Sequence, residues 1–300
     1  MLCIAPYSFM GENMYHYDFA IADLLVRVNS PFAVESLFEL TNFQKEYNPY
    51  AQPDAIYTIE ILASEWQIRG TKILEDPQNA IYRWQGEEHR YYFWNVASKD
   101  LYVLLRHRQD DPQNYSICLQ PQKLDTLIPR LRLAAFFFPE RLFLQHKALI
   151  LHSSVIDWNG SGILFTAPSG TGKSTQADLW QRLESASILN GDRAVIRCHQ
   201  GEYRAHGSPY AGTSGIFCND SVPIRAIVVL SQAAENTLSR LSPTVAFRQL
   251  YKESTVCAWD PDFADELSAI LLDLISKVPI YSLACRPDQG AVTILKDALT

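Results

Sequence analysis

Ala167-Pro168-Ser169-Gly170-Thr171-Gly172-Lys173-Ser174-Thr175 lies between the apolar run Gly162-Ile163-Leu164-Phe165-Thr166 and a helical pattern that begins at Ser174. A strand, a tight turn of small residues and a helix N-terminus, in that order, make a cradle for phosphate. The backbone N–H groups of the turn and the positive end of the helix both face the anion. Small residues are needed because the backbone itself must approach the phosphate oxygens. In such a loop Lys173 places a point charge on the β- and γ-phosphates, and the Ser174 hydroxyl coordinates Mg²⁺. Ser169, Gly170, Thr171, Gly172, Lys173, Ser174 and Thr175 are therefore the candidate nucleotide-binding residues. Ala167 stands where an opening glycine is usual, which is compatible with binding if that position has a negative φ.

The 300 residues, 47% of them hydrophobic, suffice for one large domain or two modest ones. A net charge of −7 supplies no basic field for nucleic acid, and Arg106-His107-Arg108 and the pair Arg130, Arg132 read as short solvated faces. No apolar run has the length of a membrane helix, since Ala134-Ala135-Phe136-Phe137-Phe138 is halted by Pro139. No basic segment followed by a long apolar core marks a signal peptide at the start. Six cysteines, at 3, 118, 198, 218, 257 and 285, lack the close pairing of a zinc site or a disulfide framework. Reduced thiols in a cytoplasmic protein are the expectation.

The pattern divides the chain in three. Residues 1–121 hold short aromatic and β-branched runs: 55–62, 81–84, 91–94, 101–105 and 115–119. Turn formers at Gln85-Gly86-Glu87-Glu88 and Asp110-Asp111-Pro112-Gln113-Asn114 separate them, so antiparallel hairpins are expected. The aromatic density reads either as core filling or as a stacking surface that recruits substrate. Residues 122–147 carry apolar positions at helical spacing, interrupted by Pro129 and Pro139, and read as a helical connector. Residues 148–300 hold the loop within an α/β (α+β) domain with a mixed sheet. There Leu149–Ile156 reads as a buried strand, and Asn159-Gly160 as the tip of a hairpin into the loop-bearing strand. That antiparallel approach departs from the parallel β–loop–α–β core of common phosphate-loop proteins. Strands are expected at 187–189, 194–197, 203–205, 224–230 and 279–283, and helices at 176–183, 243–252, 263–277 and from 289.

Three further elements point at the loop. Asp192 follows a strand about twenty residues after Lys173, where a carboxylate beside Mg²⁺ belongs; it either holds the metal or accepts a substrate proton. His152 lies on the strand paired with the loop-bearing strand, so register decides whether it nears the loop or only fills the core. The stretch from His206 to Gly215, rich in glycine and serine, is either a loop that closes over substrate or a plain connection.

Together these residues resemble the HPr-kinase and phosphoenolpyruvate-carboxykinase-like family of kinases. Leu151-His152-Ser153-Ser154-Val155 followed by Gly162 to Thr175 is similar to its histidine strand, hairpin and P-S-G-x-G-K-S-T loop. Leu189-Asn190-Gly191-Asp192 resembles its strand ending in two aspartates, with Gly191 replacing the first acid. Gly207-Ser208-Pro209-Tyr210-Ala211-Gly212 is similar to a G-T-P-W-x-G loop of a subgroup found beside peptide-modification enzymes, including kinases of lasso-peptide precursors. The resemblance covers about residues 148 to 298. It implies ATP- and Mg²⁺-dependent phosphoryl transfer to a serine or threonine hydroxyl of a peptide or small protein. Lys173, Ser174 and Asp192 would serve nucleotide and metal, and His152 the transferred phosphate. With Gly191 in place, one carboxylate does the work of two, or another segment supplies the base. Two alternatives stand beside this: a kinase of a small hydroxyl compound such as free serine, and a nucleotide sensor without turnover.

Overall fold

A computed structural model describes residues 14–34, 38–63, 66–76, 79–95, 100–108, 110–127, 136 and 139–300. The chain divides into two compact units after Phe138, inside the segment 122–147 expected to connect them. Much of that connector's helical pattern, Pro129 included, lies outside the described residues.

The first unit is built on β1 (Tyr15–Ile21), β2 (Leu24–Ser30), β3 (Gln44–Lys45), β4 (Ala55–Ile61), β5 (Thr71–Glu75), β6 (Asn79–Trp84), β7 (Glu87–Asn95), β8 (Asp100–Arg108) and β9 (Asp111–Leu119). Among the described residues these form one sheet in the order β3-β1-β2-β4-β9-β8-β7-β6-β5. It is not purely a set of antiparallel hairpins, because β4 runs parallel to both β2 and β9. Gln85 and Gly86 form the expected turn, both with positive φ, as a two-residue hairpin loop of type I′ demands. The expected turn at 110–114 is instead mostly strand. His107 faces Tyr115 while Arg108 faces Asp111, so Pro112, which has no N–H to give, falls in the slack of a bulge. Tyr57, Tyr91, Tyr92, Phe93 and Tyr115 are buried, and Tyr57 stacks on Tyr115 with ring centroids 4.6 Å apart. These rings fill the core.

After the last strand of the first unit, α1 (Leu124–Leu127) is a single turn, and the second unit begins with α2 (Pro139–Gln145), which opens on Pro139. A proline at the first helical position forfeits no helical hydrogen bond, so Pro139 starts a helix.

The second unit holds β10 (Ala148–Trp158), β11 (Ser161–Thr166), α3 (Lys173–Glu184), β12 (Ser187–Asn190), β13 (Arg193–His199), β14 (Glu202–His206), β15 (Ser221–Gln232), β16 (Thr237–Arg240), α4 (Pro243–Glu253), α5 (Pro261–Lys277), β17 (Ile280–Cys285) and α6 (Gln289–Leu299). Its mixed sheet runs β11-β10-β13-β14-β15-β17-β16, with β12 on β10 and a further pairing of β11 to β15. The expected hairpin joins β10 to β11 with Asn159 and Gly160 both at positive φ. On its other edge β11 runs parallel to β15. Successive side chains of β11 point to opposite faces. Leu164 enters a core shared with Leu250, Leu267 and Leu271 of α4 and α5. Ile163 and Phe165 enter a second core with Trp180 of α3 and Leu295 of α6. The loop-bearing strand is thus covered on both faces, like an internal strand of a doubly covered sheet. No helix among the described residues is long and apolar enough to cross a membrane.

Trp180 is wholly buried against Phe165 and Trp158. Trp180→Ala should therefore destabilise this unit by about 3–5 kcal/mol in urea unfolding. A loss below about 1 kcal/mol would contradict the packing described.

Candidate functional site

The loop leaves β11 at Thr166, whose Oγ1 donates to the carbonyl of His152 at 2.9 Å and ties the loop's root to β10. Ala167 is wholly buried in the α3-side core and lacks a positive φ, which explains why a methyl is accepted where glycine is usual. Gly170 and Gly172 do take positive φ, 79° and 120°, the conformations that bend the backbone into a cup. Helix α3 starts at Lys173, one residue before the pattern predicts. Asp260 and Asp288 cap α5 and α6 by accepting from Phe263 N and Ala291 N, but Gly172 gives α3 no side-chain cap. The first N–H groups of α3 have no partner within the helix, so they are free for an anion.

Lys173 is buried to 7% exposure and its Nζ donates to the Ala167 carbonyl at 2.9 Å. Burial pushes its ammonium below the ordinary lysine value, while Asp192 and Glu253 pull it back up. A buried cation with this deficit is stabilised by any phosphate that joins it.

Asp192 is positioned from β12 by a buried asparagine. Asn190 Oδ1 accepts from the backbone N–H of Asp192 at 2.9 Å and of Arg193 at 2.8 Å, an Asx-type turn. Its Nδ2 donates to the Ser208 carbonyl at 3.0 Å, which fastens the His206–Gly215 stretch to the same turn. Ser153 N donates to the Asp192 carbonyl and Ser154 Oγ to that of Gly191, so β10 holds the turn from the other side. A Cβ on Gly191 would lie 2.1 Å from Ser214 Oγ, and one on Gly212 would lie 2.6 Å from the Asp192 carboxyl carbon. A side chain at 191 would therefore require Ser214 to move.

His152 meets the site through this carboxylate. Its Nε2 lies 3.3 Å from Asp192 Oδ1, and its Nδ1 lies 3.1 Å from Glu253 Oε2. Glu253 ends α4, is mostly buried, and arrives because Leu151 bridges to Ser254. Sequence reasoning missed Glu253 because a carboxylate at a helix end, 101 residues from His152, carries no local signal.

Ser169, Gly170, Gly172, Lys173, Ser174 and Thr175 line one cavity of about 240 Å³ together with Gly191, Asp192 and Ser214. Thr171 lies outside it and borders a neighbouring cavity. His152 is not on the wall but touches Asp192, which is. No group of three or more His, Cys, Asp and Glu suited to a metal occurs among the described residues.

If the Ser214 contact excludes a side chain at 191, Gly191→Ala should cost about 1–3 kcal/mol. Adding Ser214→Gly, which removes both clashing atoms, should restore most of the loss in thermal or urea unfolding. An equally unstable double variant would show that something else requires the glycine.

A family model described as "SynChlorMet cassette protein ScmC" matches residues 135–287. Among solved structures, the Hpr(Ser) kinase/phosphatase from Coxiella burnetii aligns over 50% of this chain and 87% of that one, with 10% identity and a TM-score of 0.28, a weak likeness. No curated protein matches. The family match spans just over half of the chain, across the loop, the Asp192 turn and Glu253, so the chain belongs to the SynChlorMet cassette protein ScmC family.

Proposed function

We propose that this chain is a kinase that uses ATP with Mg²⁺ to phosphorylate a serine or threonine hydroxyl of a peptide or small protein. One observation carries the reading: Lys173, the uncapped start of α3 and Asp192 border a single cavity, although Asp192 arrives in the turn between β12 and β13. In this reading the loop amides from Ser169 to Ser174 hold the polyphosphate, and Lys173 offsets the charge of the γ-phosphoryl as it moves. Ser174 Oγ and the Asp192 carboxylate are hard oxygen donors on one wall, a set that fits magnesium when phosphate and water complete the shell. When bound, that ion withdraws charge from the phosphate oxygens.

The acceptor hydroxyl gives its proton to Asp192, whose carboxylate borders the cavity, as its oxygen bonds to the γ-phosphorus. The bond from that phosphorus to the β,γ-bridging oxygen breaks, and its electron pair leaves with ADP. The proton passes on to His152 Nε2, 3.3 Å from Asp192 Oδ1. Glu253 accepts the Nδ1–H and so directs Nε2 toward Asp192. The imidazolium then lies between Glu253 and Asp192. Glu253 supplies this second carboxylate from the end of α4.

The limited volume of the cavity, about 240 Å³, favours a second acceptor class, a small hydroxyl compound such as free serine.

The test is transfer from γ-labelled ATP to Ser/Thr peptides, with free serine offered in parallel. Label should appear on a peptide hydroxyl, and Lys173→Ala should lower kcat/KM by roughly 10²–10³-fold. Glu253→Gln, which keeps the side chain's shape, should lower kcat while leaving the KM for ATP unchanged. Label on serine alone would select the second class. ATP that binds without labelling any acceptor would leave a sensor and reject the kinase.

A further inference from the structure

A second cavity, of about 450 Å³, shares Gly170, Gly172 and Thr175 with the first. Lys173 and Asp192, which line the first cavity, are absent from its wall. An acceptor hydroxyl placed there could not be deprotonated. Its size falls within the range of small-molecule sites, about 300–1,000 Å³. Its wall mixes apolar surface from Leu230 and Pro287 with the polar side chains of Gln176, Gln232 and Arg286.

Gln176 supplies an independent sign of a ligand. It is 2% exposed, and its Nε2 donates to Cys285 Sγ at 3.3 Å, yet its Oε1 has no partner. A buried amide oxygen left unpaired is costly, and natural proteins seldom tolerate one without a ligand or water to satisfy it. The backbone around it is fixed, because Ala233 N donates to the Cys285 carbonyl and Arg286 N to Asn236 Oδ1. The Arg286 guanidinium, paired with Asp288 at 2.9 Å, is largely exposed, and Arg286 shares the cavity wall with Pro287 and Leu230. A planar guanidinium and aliphatic surface on one wall suit a flat heteroaromatic ring.

We infer that this cavity binds the nucleoside of the nucleotide, with a donor group of the nucleoside satisfying Gln176 Oε1 while the phosphates cross the glycine loop into the smaller cavity. The assignment rests on the reading that the loop binds polyphosphate. It is therefore tested by comparing ATP with inorganic tripolyphosphate, each with Mg²⁺, by calorimetry. Wild-type protein should bind ATP at least tenfold tighter than tripolyphosphate. Gln176→Leu, close in volume, should weaken ATP roughly tenfold, the scale of one lost hydrogen bond. It should leave tripolyphosphate unchanged, and the exposed Arg286→Ala should do likewise if the leucine variant does not fold. Equal affinity of wild type for the two ligands would overturn the nucleoside assignment and leave the phosphate loop standing. So would variants that weaken both ligands alike. Wild-type protein that takes up neither ligand would overturn the phosphate reading and this assignment together.

Discussion

Strand β11 is hydrogen-bonded along both edges, antiparallel to β10 and parallel to β15, and buried on both faces. A slip of one residue would exchange Leu164 with Phe165 and bring each to the wrong core, so its register is held strongly. The point at which the chain leaves the sheet is consequently set by the packing of α3 and α6 on one side and α4 and α5 on the other. Every later feature of the site inherits that position. The glycine turn, the open start of α3 and the buried ammonium of Lys173 are all placed relative to Thr166.

A second constraint explains the most unusual feature of the site. The stretch carrying Ser214 presses so closely on the Asp192 turn that a Cβ at 191 would lie 2.1 Å from Ser214 Oγ. Asn190 enforces that closeness with hydrogen bonds to both segments. A side chain at 191 and the present docking of this loop compete for one space. A second carboxylate, Glu253, arrives from the end of α4 on the far side of His152. The histidine thereby gains a partner on each nitrogen, an arrangement that fixes the orientation of its ring.

Much of the second unit was legible because its signals are local. Asn159-Gly160 selects a turn whose two positive φ values other residues resist. Helical periodicity marked α4, α5 and α6 to within a few residues. The first unit was less legible. Its aromatic runs announced β4 and β6 to β9 but not that β2, β4 and β9 lie parallel, since parallel neighbours are joined by long excursions without a turn signature. Pro112 misled for a related reason: it argues against a strand unless a bulge absorbs it, and a bulge is a property of the partner's register.

By itself, the sequence determined that a strand ends in a glycine turn and passes into a helix led by Lys173, and that Asp192 closes the next strand. These are matters of φ preference and periodicity, encoded within a few neighbouring residues. Tertiary structure alone decided that Glu253 faces His152, that Ser214 crowds position 191, and that Gln176, on the wall of a cavity, has an oxygen unpaired. Each of these is a meeting of segments far apart in the chain. Where they meet depends on how two cores pack around one strand, and no stretch of neighbouring residues contains that information.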